Sequence, residues 1–214
     1  MYVLYWHPFS SSLAPMAVLE ETGAAYEAVR IDIEAGENFS PAYRKIHPYG
    51  RVPALKLPDG RAVFESAGLV MYLADQHPEA GLAPQPQAPD RAVYYQWLLF
   101  MADSIYPSYN RYFRAQRYAA SPEAQAQVRA GATATLAAQW QVVEQALEHR
   151  AFLLGDECSA ADIYLMMLTT WDEDPDGLAR RCPNVMRVAG AAGGRPATAR
   201  ALARHRLATA RPES

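Results

Sequence analysis

Four prolines in twelve positions, Pro78, Pro84, Pro86 and Pro89, divide the chain into two stretches with different hydrophobic periods. Proline fixes φ and donates no backbone hydrogen bond, so this cluster, with Gly81 inside it, reads as a stiff linker over 78–89. Before it, short β-type runs alternate with helical patterns. After it, the periodic segments have helical spacing. The chain is therefore expected to fold as an α/β domain over 1–77 and an all-α domain over 90–214.

The first stretch reads β-α-β-α-β-β-α. Tyr2 to Trp6 is a compact run of strand formers stopped by Pro8. Ser10, Ser11 and Ser12 each suit a helix N-cap, and Leu13, Met16 and Ala17 then give one apolar face. Pro15 is tolerated in that helix's first turn, and Gly23 suits its end. Val29, Ile31 and Ile33 alternate with Arg30 and Asp32, which predicts a second strand. A short helix is expected near Pro41–Ile46. Leu55 and Leu57 begin a strand, Pro58-Asp59-Gly60 supplies a turn, and Ala62-Val63-Phe64 returns as the partner. Glu65-Ser66 then opens a helix carrying Leu69, Tyr72 and Leu73.

In the second stretch Asp90 precedes a long helix with Tyr94, Trp97, Leu98, Met101 and Ile105 on one side. Pro107 is expected to kink or break it. Val128, Ala132, Leu136, Trp140, Val143 and Leu147 mark a second helix over about 123–148. A third is expected after Ser159, with Ile163, Leu165, Met166 and Leu168. Ser159 and Asp162 stand in the S-x-x-D spacing of a capping box, which reads as a folding element. Shorter helices are expected after Pro183 and Pro196.

Composition excludes some classes. The formal net charge of −3 gives no broad attraction for nucleic acid. No segment has the apolar length of a membrane span, and the N-terminus lacks a signal-peptide pattern. Cys158 and Cys182 make no C-x-x-C pair and no zinc spacing, so neither a disulfide framework nor a metal site is expected, and the cytoplasm is the default location. The five histidines show no ligand spacing. Arg187, Arg195, Arg200, Arg204, Arg206 and Arg211 precede Glu213 with hardly any acid among them. They read as a solvated helix face and a frayed tail, or alternatively as a docking patch for an acidic partner.

Arg51-Val52-Pro53-Ala54-Leu55, with Glu65-Ser66 heading a helix and Gly155-Asp156 followed by Ser159-Ala160-Ala161-Asp162-Ile163, resembles the cytosolic glutathione transferases over nearly the whole chain. The likeness is to bacterial, beta- or theta-like members, with the class left open. It implies a thioredoxin-like N-terminal domain, an all-α helical bundle, a homodimer, and glutathione as co-substrate without a metal. It also implies a cis bond before Pro53, presenting the Val52 backbone N–H and C=O to the peptide backbone of glutathione as an added strand would. Arg51 belongs to the same binding string. Ser66, at a helix N-terminus, would hold the γ-glutamyl carboxylate, and Glu65 its ammonium.

Such an enzyme must lower the thiol pKa of glutathione, for which a hydroxyl donor at the sulfur suffices. Three candidates follow β-type residues 2–6 or lie within them. Ser11 stands where the beta class places a cysteine, Ser10 where the serine-type classes place a serine, and Tyr5 where the tyrosine-type classes place a tyrosine. Ser11 is preferred, then Ser10, then Tyr5. The absence of cysteine between Tyr5 and Leu13 argues against disulfide exchange as the main activity. Phe9 would wall the second-substrate pocket on one side, with Tyr106 and Tyr109 on the other; Tyr106 replaces a beta-class histidine. The expected function is conjugation of glutathione to an electrophilic, partly apolar compound. A non-catalytic glutathione-binding or protein-interaction module is the alternative, and a glutathione-dependent isomerase or lyase ranks third.

Overall fold

In a computed structural model, which describes residues 1–207, the N-terminal elements are β1 (Tyr2–Trp6), α1 (Leu13–Thr22), β2 (Tyr26–Arg30), α2 (Pro41–Arg44), β3 (Ala54–Lys56), β4 (Ala62–Phe64) and α3 (Ser66–Gln76). The sheet order is β2-β1-β3-β4. β1 pairs in parallel with β2, and antiparallel with β3, which in turn pairs antiparallel with β4. This is the expected βαβαββα order of a thioredoxin-like domain. The β3–β4 turn closes through Gly60 N–H to the Leu57 carbonyl, with Gly60 at φ 92°. That backbone is why glycine follows Asp59 there.

β2 differs from its expected position. It ends at Arg30, although the alternation continues to Ile33. Ile31 is still buried and its N–H bonds the Trp6 carbonyl at 2.9 Å, so the apolar period outlasts the strand. Beyond it the Asp32 N–H turns to the Glu37 carboxylate. α1 is buried from Leu13 to Leu19, more than one apolar face, because α3 and the helix Pro196–Leu207 both pack on it.

The helical elements are α4 (Arg91–Phe100), α5 (Tyr106–Phe113), α6 (Pro122–Ala146), α7 (Ala160–Thr169), α8 (Pro175–Arg181), α9 (Pro183–Gly193) and α10 (Pro196–Leu207). Pro107 does not break the first helix. A π-helical segment, Met101–Ile105, joins α4 to α5 and places Pro107 in the first turn of α5. A wider turn is a recognised way to take up an interruption of the regular ladder. α7 is buried along its length and is the core of its unit, touching α4 and the π segment.

The chain forms two compact units, one of Met1–Pro86 with residues 191–207, the other of Gln87–Gly190. The break falls inside the proline-dense stretch. The difference from a single all-α body over 90–214 is α10, which packs on α1. Its arginines explain why. Arg195 pairs with Glu21 and Arg200 with Glu20, each at 2.8 Å, and Thr198 donates N–H and O–H to Glu21. These charges are therefore neither merely a solvated face nor reserved for an outside partner. Arg187 instead donates to the carbonyls of Arg150 and Ala151. Arg211 and Glu213 lie outside the described residues.

Candidate glutathione site

The strand register defines the site. Tyr5 on β1 lies opposite Ala54 on β3, and Ala54 opposite Phe64 on β4. β3 runs against both neighbours. The chain therefore leaves β1, enters β3 and leaves β4 at the same edge of the sheet. Residues 7–12, 51–53 and 65–66 are gathered there.

The segment before β3 is clamped from both sides. Asn38 Nδ2 donates to the Gly50 carbonyl at 2.8 Å, and Tyr43 Oη to the Arg51 carbonyl at 2.7 Å. Burial pushes the Tyr43 phenol well above its ordinary pKa, so it remains a donor. The Val52–Pro53 bond is cis, as the resemblance implied. Pro53 is buried and Val52 half-buried, and the Val52 backbone groups take no hydrogen bond among the described residues. Arg51 lies over the Tyr49 ring, 4.8 Å from its centroid. No period or motif marks Asn38 and Tyr43, and the sequence reading missed both.

Gly50 is required for that clamp. It sits at φ 67°, and a Cβ there would meet the Asn38 carbonyl oxygen at 2.8 Å. Gly50→Ala is expected to cost about 2–3 kcal/mol, from the left-handed backbone and a collision with main chain. Urea unfolding measures the loss, and a raised KM for glutathione would report displacement of Val52.

At the head of α3, Ser66 is buried and Glu65 is exposed. Glu65 has φ 78° and ψ 105°, a costly conformation for a residue with a side chain. Phe9 is the other non-glycine residue with positive φ, at 47°, and it is 64% exposed. Both outliers lie at the gathered edge.

The serines of 10–12 differ in their commitments. Ser10 Oγ donates to the His7 carbonyl at 2.6 Å and also contacts Ser12 Oγ. Ser12 Oγ accepts from the His7 N–H at 3.2 Å. A hydroxyl has one proton. Ser10 has given its proton to His7, so Ser12 donates to Ser10. The circuit folds the loop onto His7, whose Nδ1 bonds the Ile31 carbonyl at 2.9 Å. Ser12 is accordingly the residue before α1 but caps nothing with its side chain. Ser11 is buried. Tyr5 is half-buried with its ring edge-on to Tyr43 at 5.8 Å. Burial, then the charge of Glu27, push its pKa up.

The edge thus combines a buried serine at a helix N-terminus, main-chain groups beside a cis proline and a hydroxyl-lined loop. The family profile described as "Glutathione S-transferase, N-terminal domain" matches residues 1–75, and "Glutathione S-transferase, C-terminal domain" matches 93–188. A solved ternary complex of BphK, a bacterial GST, is 32% identical, with 96% of this chain and 100% of that one covered and a TM-score of 0.84. The chain belongs to the glutathione S-transferase family. A glutathione transferase homologue from Sulfitobacter, solved with bound glutathione, is 28% identical over 95% of this chain and 98% of its own, with a TM-score of 0.85. Glutathione S-transferase GstA of Escherichia coli O157:H7 is 28% identical over 173 residues, 78% of this chain and 81% of the relative.

The remaining candidates lie in the helical unit of this glutathione S-transferase family member. Tyr106 is half-buried, edge-to-face with Trp171 at 5.1 Å. Tyr109 is deeper, 3% exposed. Its hydroxyl donates to Asp172 at 3.1 Å and accepts from Trp140 Nε1 at 3.2 Å. Burial, then the Asp172 charge, hold that phenol protonated. Among the described residues, no His, Cys, Asp and Glu side chains are grouped to hold a metal, and no helix is long and apolar enough to cross a membrane.

Proposed function

We propose that the protein conjugates the thiolate of glutathione to an electrophilic, partly apolar small molecule. The observation that carries this reading is the convergence of residues 7–12, 51–53 and 65–66 on one sheet edge. Val52 would pair with the peptide backbone of glutathione, with Arg51 and Pro53 shaping that strip. Ser66 would take the γ-glutamyl carboxylate at the start of α3, where free N–H groups and the helix dipole favour an anion, and Glu65 the ammonium. Ser11 would donate to the sulfur. This assignment is supported by the serine circuit, which commits the Ser10 proton to a carbonyl, and by the packing of Tyr5 on Tyr43. Phe9, exposed beside these residues, would contact the electrophile.

A hydrogen bond to a thiolate is charge-assisted and acts where charge develops. Ser11→Ala is therefore expected to lower kcat/KM with a chlorinated nitroaromatic by about 10²-fold and to move the pH–rate profile to higher pH. Ser10→Ala should cost less. A larger loss in Ser10→Ala would transfer the role to Ser10. Glutathione binding by calorimetry with no turnover in the parent protein would favour a binding module instead. The same reading includes a homodimer, for which exposed Tyr49 and Phe39 in one unit and Leu99 in the other offer apolar surface, and a reducing, cytoplasmic setting, in keeping with Cys158 and Cys182 as buried thiols not joined in a disulfide.

A further inference from the structure

The helical unit contains a cavity of about 590 Å³ walled only by its own residues, from α5, α6, α8 and the segment 171–174. Its aromatic lining is Tyr109, Tyr112, Trp140 and Trp171, and Leu178 adds an aliphatic wall. Volume and lining suit a small organic molecule rather than solvent alone.

The charges give the sign. Asp172, Glu173 and Asp174 line the cavity against one cation, Arg181. Arg181 is taken by Asp174, at 3.6 Å. Asp172 accepts from Tyr109 Oη and the Asp174 N–H, and Glu173 accepts from Tyr112 Oη at 2.7 Å, so both are held by neutral donors and neither has a cationic partner among the described residues. Arg129 acts on the Tyr112 hydroxyl, the donor to Glu173. The Asp172 charge reaches two of the lining residues. After burial it is the next cause that raises the Tyr109 phenol, and it adds to burial and Glu144 in raising the Cys182 thiol.

We propose that this cavity binds an arylalkylammonium ion, its ring against Trp171 and its ammonium at Asp172 and Glu173. An aromatic face attracts a cation, and a carboxylate already held by a neutral donor retains lone pairs for a charge-assisted bond. A carboxylate ligand would meet repulsion, and a neutral one would desolvate two acids without compensation. The cavity takes no residue from the glutathione edge, and shares only Tyr109 with the residues that the resemblance sets around the second substrate.

The test is calorimetric titration of the full chain with 2-phenylethylamine, 2-phenylethanol and 3-phenylpropanoate, each with and without saturating S-hexylglutathione. The amine should bind about tenfold more tightly than the alcohol, the propanoate should not bind, and S-hexylglutathione should leave the amine affinity unchanged. Glu173→Gln, at an exposed position, should weaken the amine about threefold, Asp172→Asn about tenfold, and Ala137→Trp should occlude the cavity. Equal binding of amine and alcohol, indifference to Glu173→Gln and Asp172→Asn, or displacement by S-hexylglutathione would each overturn the proposal. The last result would place the amine in the transferase site.

Discussion

Asp162→Ala is expected to destabilise the helical unit by about 3–5 kcal/mol, enough to consume much of a domain's stability. Asp162 is fully buried in the first turn of α7. One carboxylate oxygen accepts the Leu153 N–H at 2.9 Å, and the other accepts the Ser159 N–H at 2.8 Å and Ser159 Oγ at 2.7 Å. Alanine would leave two backbone N–H groups buried and unpaired, each costing about 1–3 kcal/mol. The two donors come from different places, the α7 cap and the segment Phe152–Gly155 that closes on itself through paired backbone bonds. The acid thus ties that turn to the most buried helix of the unit. Burial pushes the Asp162 carboxyl up while its three donors pull the other way, so the charge is tolerated only because it is surrounded.

Asp162→Asn separates hydrogen bonding from charge. It keeps the shape and one acceptor but turns an amide N–H₂ toward a remaining donor, so a loss of about 2 kcal/mol is expected. Ser159→Ala should cost about 1 kcal/mol, because Ser159 N–H still reaches Asp162. Urea unfolding followed by tryptophan fluorescence distinguishes the three, since Trp97, Trp140 and Trp171 all lie in this unit. A loss below about 1 kcal/mol for Asp162→Ala would mean that water replaces the carboxylate and that the box is not a folding element.

The capping box could be read from sequence because its chemistry is local: donor, acceptor and helix start lie within four residues. The same holds for the β3–β4 turn, whereas the cis bond at Val52–Pro53 was implied by the family resemblance. Elements failed where distance along the chain decided the outcome. Ile31 continues the apolar alternation of β2, but whether it pairs as strand depends on β1, whose register ends at Trp6 opposite Arg30. Glu20 and Glu21 are unremarkable acids on a helix until α10, some 175 residues later, brings Arg195, Thr198 and Arg200 against them. α8 was missed although Asp174-Pro175 carries a start signal, and the Asp174 side chain does accept the Gly177 N–H. Within the site, Ser10, Ser11 and Ser12 are equivalent in composition and differ only in which carbonyl or amide each reaches, a property of the folded loop.

Acidification from pH 7.5 to 5 is expected to remove about 2 kcal/mol of stability through His205 alone. This histidine, on α10, is 3% exposed and tilts against the Trp6 ring at 4.9 Å. Neither of its nitrogens has a hydrogen-bond partner among the described residues, and nor does Trp6 Nε1. Burial, then the charges of His7 and Arg204, depress its pKa from 6.5 to about 4. The unfolded chain therefore takes the proton first as pH falls through about 6.5, and the folded state follows only near 4. The stability contributed by keeping the ring neutral is fully present above the unfolded value and declines as pH falls through that window, about 3 kcal/mol in all. The Glu20 and Glu21 carboxyls carry depressed pKa values despite the raising effect of burial, the largest single influence, because hydrogen bonds from Tyr26, Arg200, Arg195 and Thr198 outweigh it. Their contribution is present above the ordinary carboxyl range and is lost as pH falls through that range to the depressed folded values. His205→Phe keeps an aromatic ring against Trp6, removes the titration and removes two unpartnered polar atoms. Its stability at pH 7.5 should equal or exceed that of the parent, and the difference between the two proteins should widen by about 2 kcal/mol at pH 5. Urea titrations at both pH values, read through Trp6 in variants lacking the other three tryptophans, give that double difference directly. Parallel pH profiles for the two proteins would show that His205 is solvated or protonated in the native state, and that α10 is held on α1 by its arginine pairs without regard to this ring.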